Sequence, residues 1–169
     1  MPREQDPYRL CFVCLGNICR SPTAEGIMIA QVAEVGLSDR IEVHSAGTAG
    51  WHRGEPADPR ARQEARRRGI ELTSRASTFL PGDAEFYDLV LAMDRSNHRD
   101  LLDRSAPDHH PRIRLLRDFD PACTDDDPWD GEVPDPWSGG DDGFRLVFDL
   151  IDAACRGLLI GIRATLAAS

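Results

Sequence analysis

The chain contains no lysine: all 20 basic residues are arginine, set against 29 Asp and Glu. The resulting net charge of −9 excludes a general affinity for nucleic-acid backbones. We read no function into the missing lysine, because biased composition is the simpler cause. No apolar run reaches the roughly 18 residues that a membrane-spanning helix needs. The N-terminal MPREQDPYRL has no apolar signal segment, which predicts a cytoplasmic protein. Cysteine is scarce and odd in number: Cys11, Cys14, Cys19, Cys123 and Cys155. That count at uneven spacing argues against a disulfide scaffold and for reduced thiols. Internal repeats and linkers are also missing, so residues 1–169 are expected to form one domain with a sizeable core, as a monomer.

The informative stretch is Arg9 to Glu25, RLCFVCLGNICRSPTAE. The apolar residues Leu10, Phe12 and Val13 predict a strand that stops at Cys14. A tight loop, Leu15-Gly16-Asn17-Ile18-Cys19-Arg20, follows. Ser21 then reads as an N-cap and Pro22 as the first helical residue. A strand, a tight loop and a helix start make backbone N–H groups converge on one point, which is an anion cradle. Gly16 and Asn17 are residue types that tolerate positive φ there. Cys14 opens the loop and Arg20 closes it. A thiol among converging N–H groups, a helix N-terminus and a guanidinium should ionise well below the free value of about 8.5. Ser21 adds a hydroxyl donor. The planar fork of Arg20 matches two phosphate oxygens, which a lysine would not. Such a thiolate is placed to attack phosphorus.

The rest of the chain alternates apolar runs with helical patterns, which predicts an α/β fold: a four-stranded parallel sheet with helices on both faces. The expected strands are Leu10–Val13, Ile41–His44, Leu89–Ala92 and Ile113–Leu116. The first helix runs from Pro22 to about Val35, with Ala24, Ile27, Met28, Val32 and Val35 on one side and Gly36 as its stop. Asp58, Pro59 and Gly69 punctuate a second helix, with Arg66, Arg67 and Arg68 in its last turn. Asp94 or Ser96 caps a third helix to about Asp103. A last helix spans about Asp142 to Leu166. His109-His110-Pro111 reads as a loop. The segment 117–143 is long, rich in Pro and Gly, and acidic: 118–142 holds ten carboxylates and no arginine. A loop of this length is functional or disordered.

VCLGNICRSPTAE resembles the phosphate-binding loop of the low-molecular-weight protein tyrosine phosphatases. The similarity continues through SAGTAGWHRGEPADPRA, LVLAMDRSNHRDL and VPDPWSGG, in family order and across nearly the whole chain. The resemblance implies the three-layer fold of that family and a phosphocysteine mechanism without metal or cofactor. Cys14 is the implied nucleophile, Arg20 the phosphate-binding and transition-state-stabilising residue, and Asp135 the general acid. Two Asp-Pro-Trp triplets compete for that last role, at Asp127 and Asp135. Asp135 stands where the family carries its acid, just before the last helix, with Gly139-Gly140 as possible hinges. Asp127 lies in what looks like an acidic insertion over 121–132 and reads as a turn or cap.

The resemblance also implies that Leu15, Gly16, Asn17, Ile18, Cys19 and Ser21 bind phosphate, that Asn17 and Ser45 brace the loop through hydrogen bonds, that Trp51 and Trp137 wall the pocket, and that Asp94 lies near the loop as a support. Ser138 replaces a second aromatic residue common there, and Ser74 stands where some members carry a supporting His. The expected partners are phosphotyrosine proteins, with phosphate and other oxyanions as inhibitors. Ile18 favours phosphotyrosine over phosphoarginine, since relatives that act on phosphoarginine tend to carry Thr there. In relatives, the thiol matching Cys19 forms a reversible disulfide with the nucleophile.

Three other readings fit the residues less well. Cys11-x-x-Cys14 has redox-motif spacing, and arsenate reductases share this kind of loop. They use a further cysteine pair midway along the chain, however, and this chain has no cysteine from 20 to 122. A silent phosphoprotein-binding module would have lost Cys14 or Asp135. Zinc on Cys11, Cys14, Cys19 and His44 fits no common ligand spacing, and Arg20 opposes a cation.

Overall fold

Strand β1 (Tyr8–Cys14) is the centre of the molecule. Its last five residues are all buried, as expected of a strand covered on both faces by helices. The computed structural model describes residues 6–137 and 140–169. β1 pairs in parallel with β2 (Ile41–Gly47) on one side and β3 (Leu89–Ala92) on the other. β4 (Ile113–Leu115) extends the sheet beyond β3, giving the order β2-β1-β3-β4.

Because side chains alternate along a strand, β1 feeds two cores. Leu10, Phe12 and Cys14 face a core shared with α1 (Arg20–Glu34), α2 (Pro59–Arg67) and α4 (Asp141–Ala168). Cys11 and Val13 face a second core with Phe79 and with Leu101 of α3 (Arg95–Asp103). The result is the expected three layers. Cys11 and Cys14 lie in different layers, so their CxxC spacing brings no dithiol pair together. The chain leaves β1 toward β2 on one side and later returns to β3 on the other. Ligands of open α/β sheets bind at that switch point, outside the carboxyl ends of the strands. The carboxyl end of β1 is Cys14.

Several boundaries differ from expectation. α1 starts at Arg20 with Cys19 as its N-cap residue, not at Pro22 with Ser21 as the cap. A first-turn proline needs no hydrogen-bond partner at its third helical position any more than at its first, and Ser21 has other partners. Val35 is the C-cap and partly exposed rather than buried. Gly36, at φ 71°, ends the helix. Its N–H reaches Ala33 O, and the N–H of Leu37 reaches Val32 O, which is a Schellman closure. β2 runs three residues past His44, because Ser45, Ala46 and Gly47 stay in register with Phe12, Val13 and Cys14. β4 stops at Leu115, where a 3₁₀ turn (Leu116–Phe119) begins. His109-His110-Pro111 is not a loop but part of a 3₁₀ helix (Pro107–Arg112), tied by His110 Nε2 to the carbonyls of Leu102 and Ser105. α2 and α3 match expectation, with Asp58 and Asp94 accepting from Arg60 N and Asn97 N.

α4 approaches the Leu116–Phe119 turn closely at Gly157. A Cβ there would lie inside contact distance of the Phe119 carbonyl oxygen. Neither the helix nor the turn has a flexible side chain to move aside. Gly157→Ala is therefore expected to destabilise the fold by about 3 kcal/mol, which lowers Tm by roughly 10 °C for a domain of this size. Thermal unfolding followed by circular dichroism checks it. Among the described residues no helix is long and apolar enough to cross a membrane, and no three His, Cys, Asp or Glu side chains gather as a metal-ligand set.

Candidate active site

The loop from Leu15 to Cys19 is held by its carbonyls. Cys14 O accepts from Thr48 N at 2.9 Å, Leu15 O from Ala49 N at 2.9 Å and Ile18 O from Asp58 N at 2.7 Å. With the carbonyls bound outward to the β2–α2 connection, the N–H groups of 15–19 find no acceptor among the described residues. A curl of unpaired donors at a helix N-terminus is an anion site. Gly47 permits the close passage of that connection, since a Cβ would lie 2.8 Å from Leu15 O.

Asn17 locks the loop from behind. It sits at φ 56°, a conformation Asn tolerates better than most residues. Its Nδ2 donates to Ser21 Oγ at 2.7 Å and Ser45 Oγ at 3.0 Å, and its Oδ1 accepts from Ser77 N at 2.9 Å. Ser45 Oγ in turn donates to Glu25 Oε2 at 2.6 Å. Ser45 thus links Asn17 to Glu25. Ser21 Oγ lies 3.0 Å from Cys14 Sγ. With Asn17 already donating to that hydroxyl, its own proton is available to the sulfur or to Ala46 O at 3.4 Å.

Arg20 is buried and its guanidinium is fixed at one end. Nη1 donates to Asp94 Oδ2 at 2.7 Å and to Val133 O at 3.1 Å. Asp94 does two jobs, pairing with Arg20 through Oδ2 and capping α3 through Oδ1. Burial opposes the charge on Arg20, but Cys14, Asp94 and Asp135 outweigh it and raise its pKa. Asp135 approaches from the far side, with Oδ2 at 3.7 Å from Arg20 Nη2. Its Oδ1 accepts from Trp137 N at 3.0 Å, so the carboxylate is oriented by its own turn.

These groups surround a cavity of about 190 Å³ lined by Cys14, Arg20, Asp135, Trp51, Trp137 and loop residues. The thiol is at the floor, 3% exposed. Trp51 and Trp137 stand at the mouth, 73% and 51% exposed. Two of the expected phosphate-binding residues, Asn17 and Ser21, are not on the cavity wall. Their side chains are committed to the bracing network, which a six-residue loop requires to hold its curl. Ser138 and Gly139 lie outside the described residues.

His52 lines the cavity and was missed in the sequence. Its Nδ1 is 2.8 Å from Glu55 Oε2 and its ring is 5.7 Å from that of Trp137. Its place directly after Trp51 was the available signal. Ser77 acts through a backbone N–H, which no residue type reveals.

The model of a known protein family, described as low molecular weight phosphotyrosine protein phosphatase, matches residues 9–168. The chain belongs to this phosphatase family. It is 44% identical to a low molecular weight protein-tyrosine-phosphatase of Streptomyces coelicolor over 158 residues, 92% of this chain and 94% of that one. It is 35% identical to the Homo sapiens low molecular weight phosphotyrosine protein phosphatase, covering 92% and 96%. Among solved structures, a protein tyrosine phosphatase from Entamoeba histolytica superposes with a TM-score of 0.88 at 36% identity, covering 94% of this chain and 98% of that one. Burial raises the pKa of three further thiols of this phosphatase. Cys19 is pushed up to about 12 by burial first and then by Asp58. Burial also raises Cys11 and Cys155.

Proposed function

We propose that this phosphatase hydrolyses phosphotyrosine in proteins, with Cys14 as nucleophile, Arg20 as phosphate clamp and Asp135 as general acid and base. The observation that carries this reading is the opposition across one cavity of Cys14 Sγ, with Ser21 Oγ 3.0 Å away, and the Asp135 carboxylate, which flanks Arg20 at 3.7 Å. In the first step the Cys14 thiolate forms a bond to phosphorus. The bond from phosphorus to the phenolic oxygen breaks, and Asp135 gives that oxygen its proton. The loop N–H groups and the Nη2 edge of Arg20, away from Asp94, hold the three equatorial oxygens, whose charge they stabilise without reorganising. In the second step the Asp135 carboxylate takes a proton from water. The water oxygen attacks phosphorus, the S–P bond breaks, and phosphate and the thiolate are released. No step calls for a metal or cofactor.

The narrow cavity supports the substrate choice. A phosphorylated side chain must reach a buried sulfur past two tryptophan rings, which a phenyl ring does and a serine methylene does not. Ile18 on the wall is apolar and suits the same ring. Phosphate, vanadate and similar oxyanions should compete for the loop. We further propose that the chain acts as a single catalytic domain and monomer in the cytoplasm. Cys19 is the candidate partner for a protective disulfide: a peroxide oxidises the Cys14 thiolate to a sulfenic acid, and the Cys19 sulfur then displaces its hydroxyl as water to form the S–S bond.

The deciding assay compares peptides carrying phosphotyrosine, phosphoserine and phosphoarginine. The expected kcat/KM is greater for phosphotyrosine than for either other residue by on the order of 100-fold or more, since the lost ring contacts and misplaced phosphorus both count. Equal or faster phosphoarginine turnover overturns the substrate assignment.

A further inference from the structure

The acidic stretch 121–132 contributes no wall to the cavity, yet its turn is built around a buried arginine. Arg117, 3% exposed, donates to both carboxylate oxygens of Asp127, Nη1 to Oδ2 at 2.6 Å and Nη2 to Oδ1 at 2.8 Å. Asp120 lies 3.7 Å away as a second counter-charge. Asp127 Oδ2 also accepts from Trp129 N and Gly131 N, both at 3.0 Å. These bonds close a turn in which Asp130 and Gly131 take φ of 54° and 71°. For a non-glycine residue such as Asp130 that backbone is unfavourable, so the turn exists because it is held.

The turn leads directly to the reacting groups. Arg117 Nη1 also donates to Glu132 O at 3.1 Å. Arg95 grips the same stretch from α3, its N–H to the Glu132 carboxylate and its Nη1 to Asp130 O. The next residue, Val133, is fully buried. Its N–H reaches Met93 O at 2.8 Å, and its carbonyl accepts from Arg20 Nη1 at 3.1 Å. One residue separates Val133 from Pro134's neighbour Asp135. We infer that Arg117 and Asp127 are positioning residues for Asp135: the turn they pin holds Val133 against Arg20 and thereby aims the Asp135 carboxylate at the leaving oxygen.

This inference rests on the reading of Asp135 as general acid. The first triplet, Asp127-Pro128-Trp129, is then the anchor of the second. The Arg117 hydrogen bonds, with the Gly131 N–H, hold the Asp127 carboxyl down to about 2. Those bonds favour the charged form of the anchor.

The test separates two esters. Nitrophenolate leaves without a proton and phenolate does not, so loss of a well-aimed acid slows phenyl phosphate selectively. Asp127→Asn is expected to lower kcat on phenyl phosphate by about tenfold or more, and on 4-nitrophenyl phosphate by less than about threefold. Vanadate affinity should stay within about twofold, because the loop and Arg20 retain their other partners. In an Asp135→Asn background, Asp127→Asn should cost less than about twofold further, since the acid it aims is gone. Equal losses on both esters, no loss, or additive losses in the double variant overturn the inference. If Asp135→Asn itself treats the two esters alike, the general-acid reading fails and this one falls with it. If Asp135→Asn discriminates and Asp127→Asn does not, only the anchor is wrong. Should Asp127→Asn fail to fold, Arg95→Ala alters the same turn from a half-exposed side chain. It should show the same discrimination at about threefold, and an equal effect on both esters overturns the inference.

Discussion

Cys14→Ser is expected to reduce phosphotyrosine hydrolysis by on the order of 10⁴-fold or more, to below detection in an ordinary assay. Serine keeps the shape of the site and can retain the hydrogen bond to Ser21, which stands 3.0 Å from the sulfur. It cannot supply an anionic nucleophile near neutral pH. The loop N–H groups and Arg20 are unchanged in this variant, so under the proposed role phosphate binding should persist, measured by calorimetry. The variant should also melt close to the wild type. Residual turnover above about 1% would mean that another group attacks phosphorus. The buried Cys11 and Cys155 are remote candidates for that role, because each faces a core rather than the cavity.

Asp135→Asn is the second large effect. It should slow phosphotyrosine turnover by about 10²–10⁴-fold, the usual contribution of a positioned proton donor. Asparagine keeps the acceptor for Trp137 N, which Asp135 Oδ1 supplies at 3.0 Å, so the turn should survive. The proposed first step needs a proton donor at this position and asparagine supplies none, so the loss should be larger on phenyl phosphate than on 4-nitrophenyl phosphate. Equal losses on both esters would reassign the acid. The nearest alternative by composition is Asp127, but its carboxylate is bonded to Arg117 and two backbone N–H groups and cannot reach the cavity.

The two Asp-Pro-Trp triplets show where sequence reasoning reaches its limit. Both have the same local chemistry, and residue type alone cannot separate them; likeness to a family did. The structure supplies the physical distinction. Asp127 meets Arg117, ten residues earlier in the chain, while Asp135 meets Arg20, 115 residues earlier. Ser21 shows the opposite failure. Its type and position fit an N-cap, but the tighter loop draws the helix start back to Arg20 and turns the hydroxyl toward Cys14. Local propensity is overridden where a functional loop requires a different geometry.

The sequence by itself determined the loop from Cys14 to Arg20, the punctuation of α2 by Asp58, Pro59 and Gly69, and the alternating pattern that makes a parallel sheet. These are properties of neighbours in the chain, where residue type limits backbone angles and capping. Only the tertiary structure decided which groups brace the site. Asn17 meets the N–H of Ser77, 60 residues away, and Arg20 meets the carbonyl of Val133, 113 residues away. Backbone N–H and C=O groups are present at nearly every position, so no residue type marks the ones that will converge. Their convergence follows from strand order and helix packing, which bring distant segments together once the cores are filled.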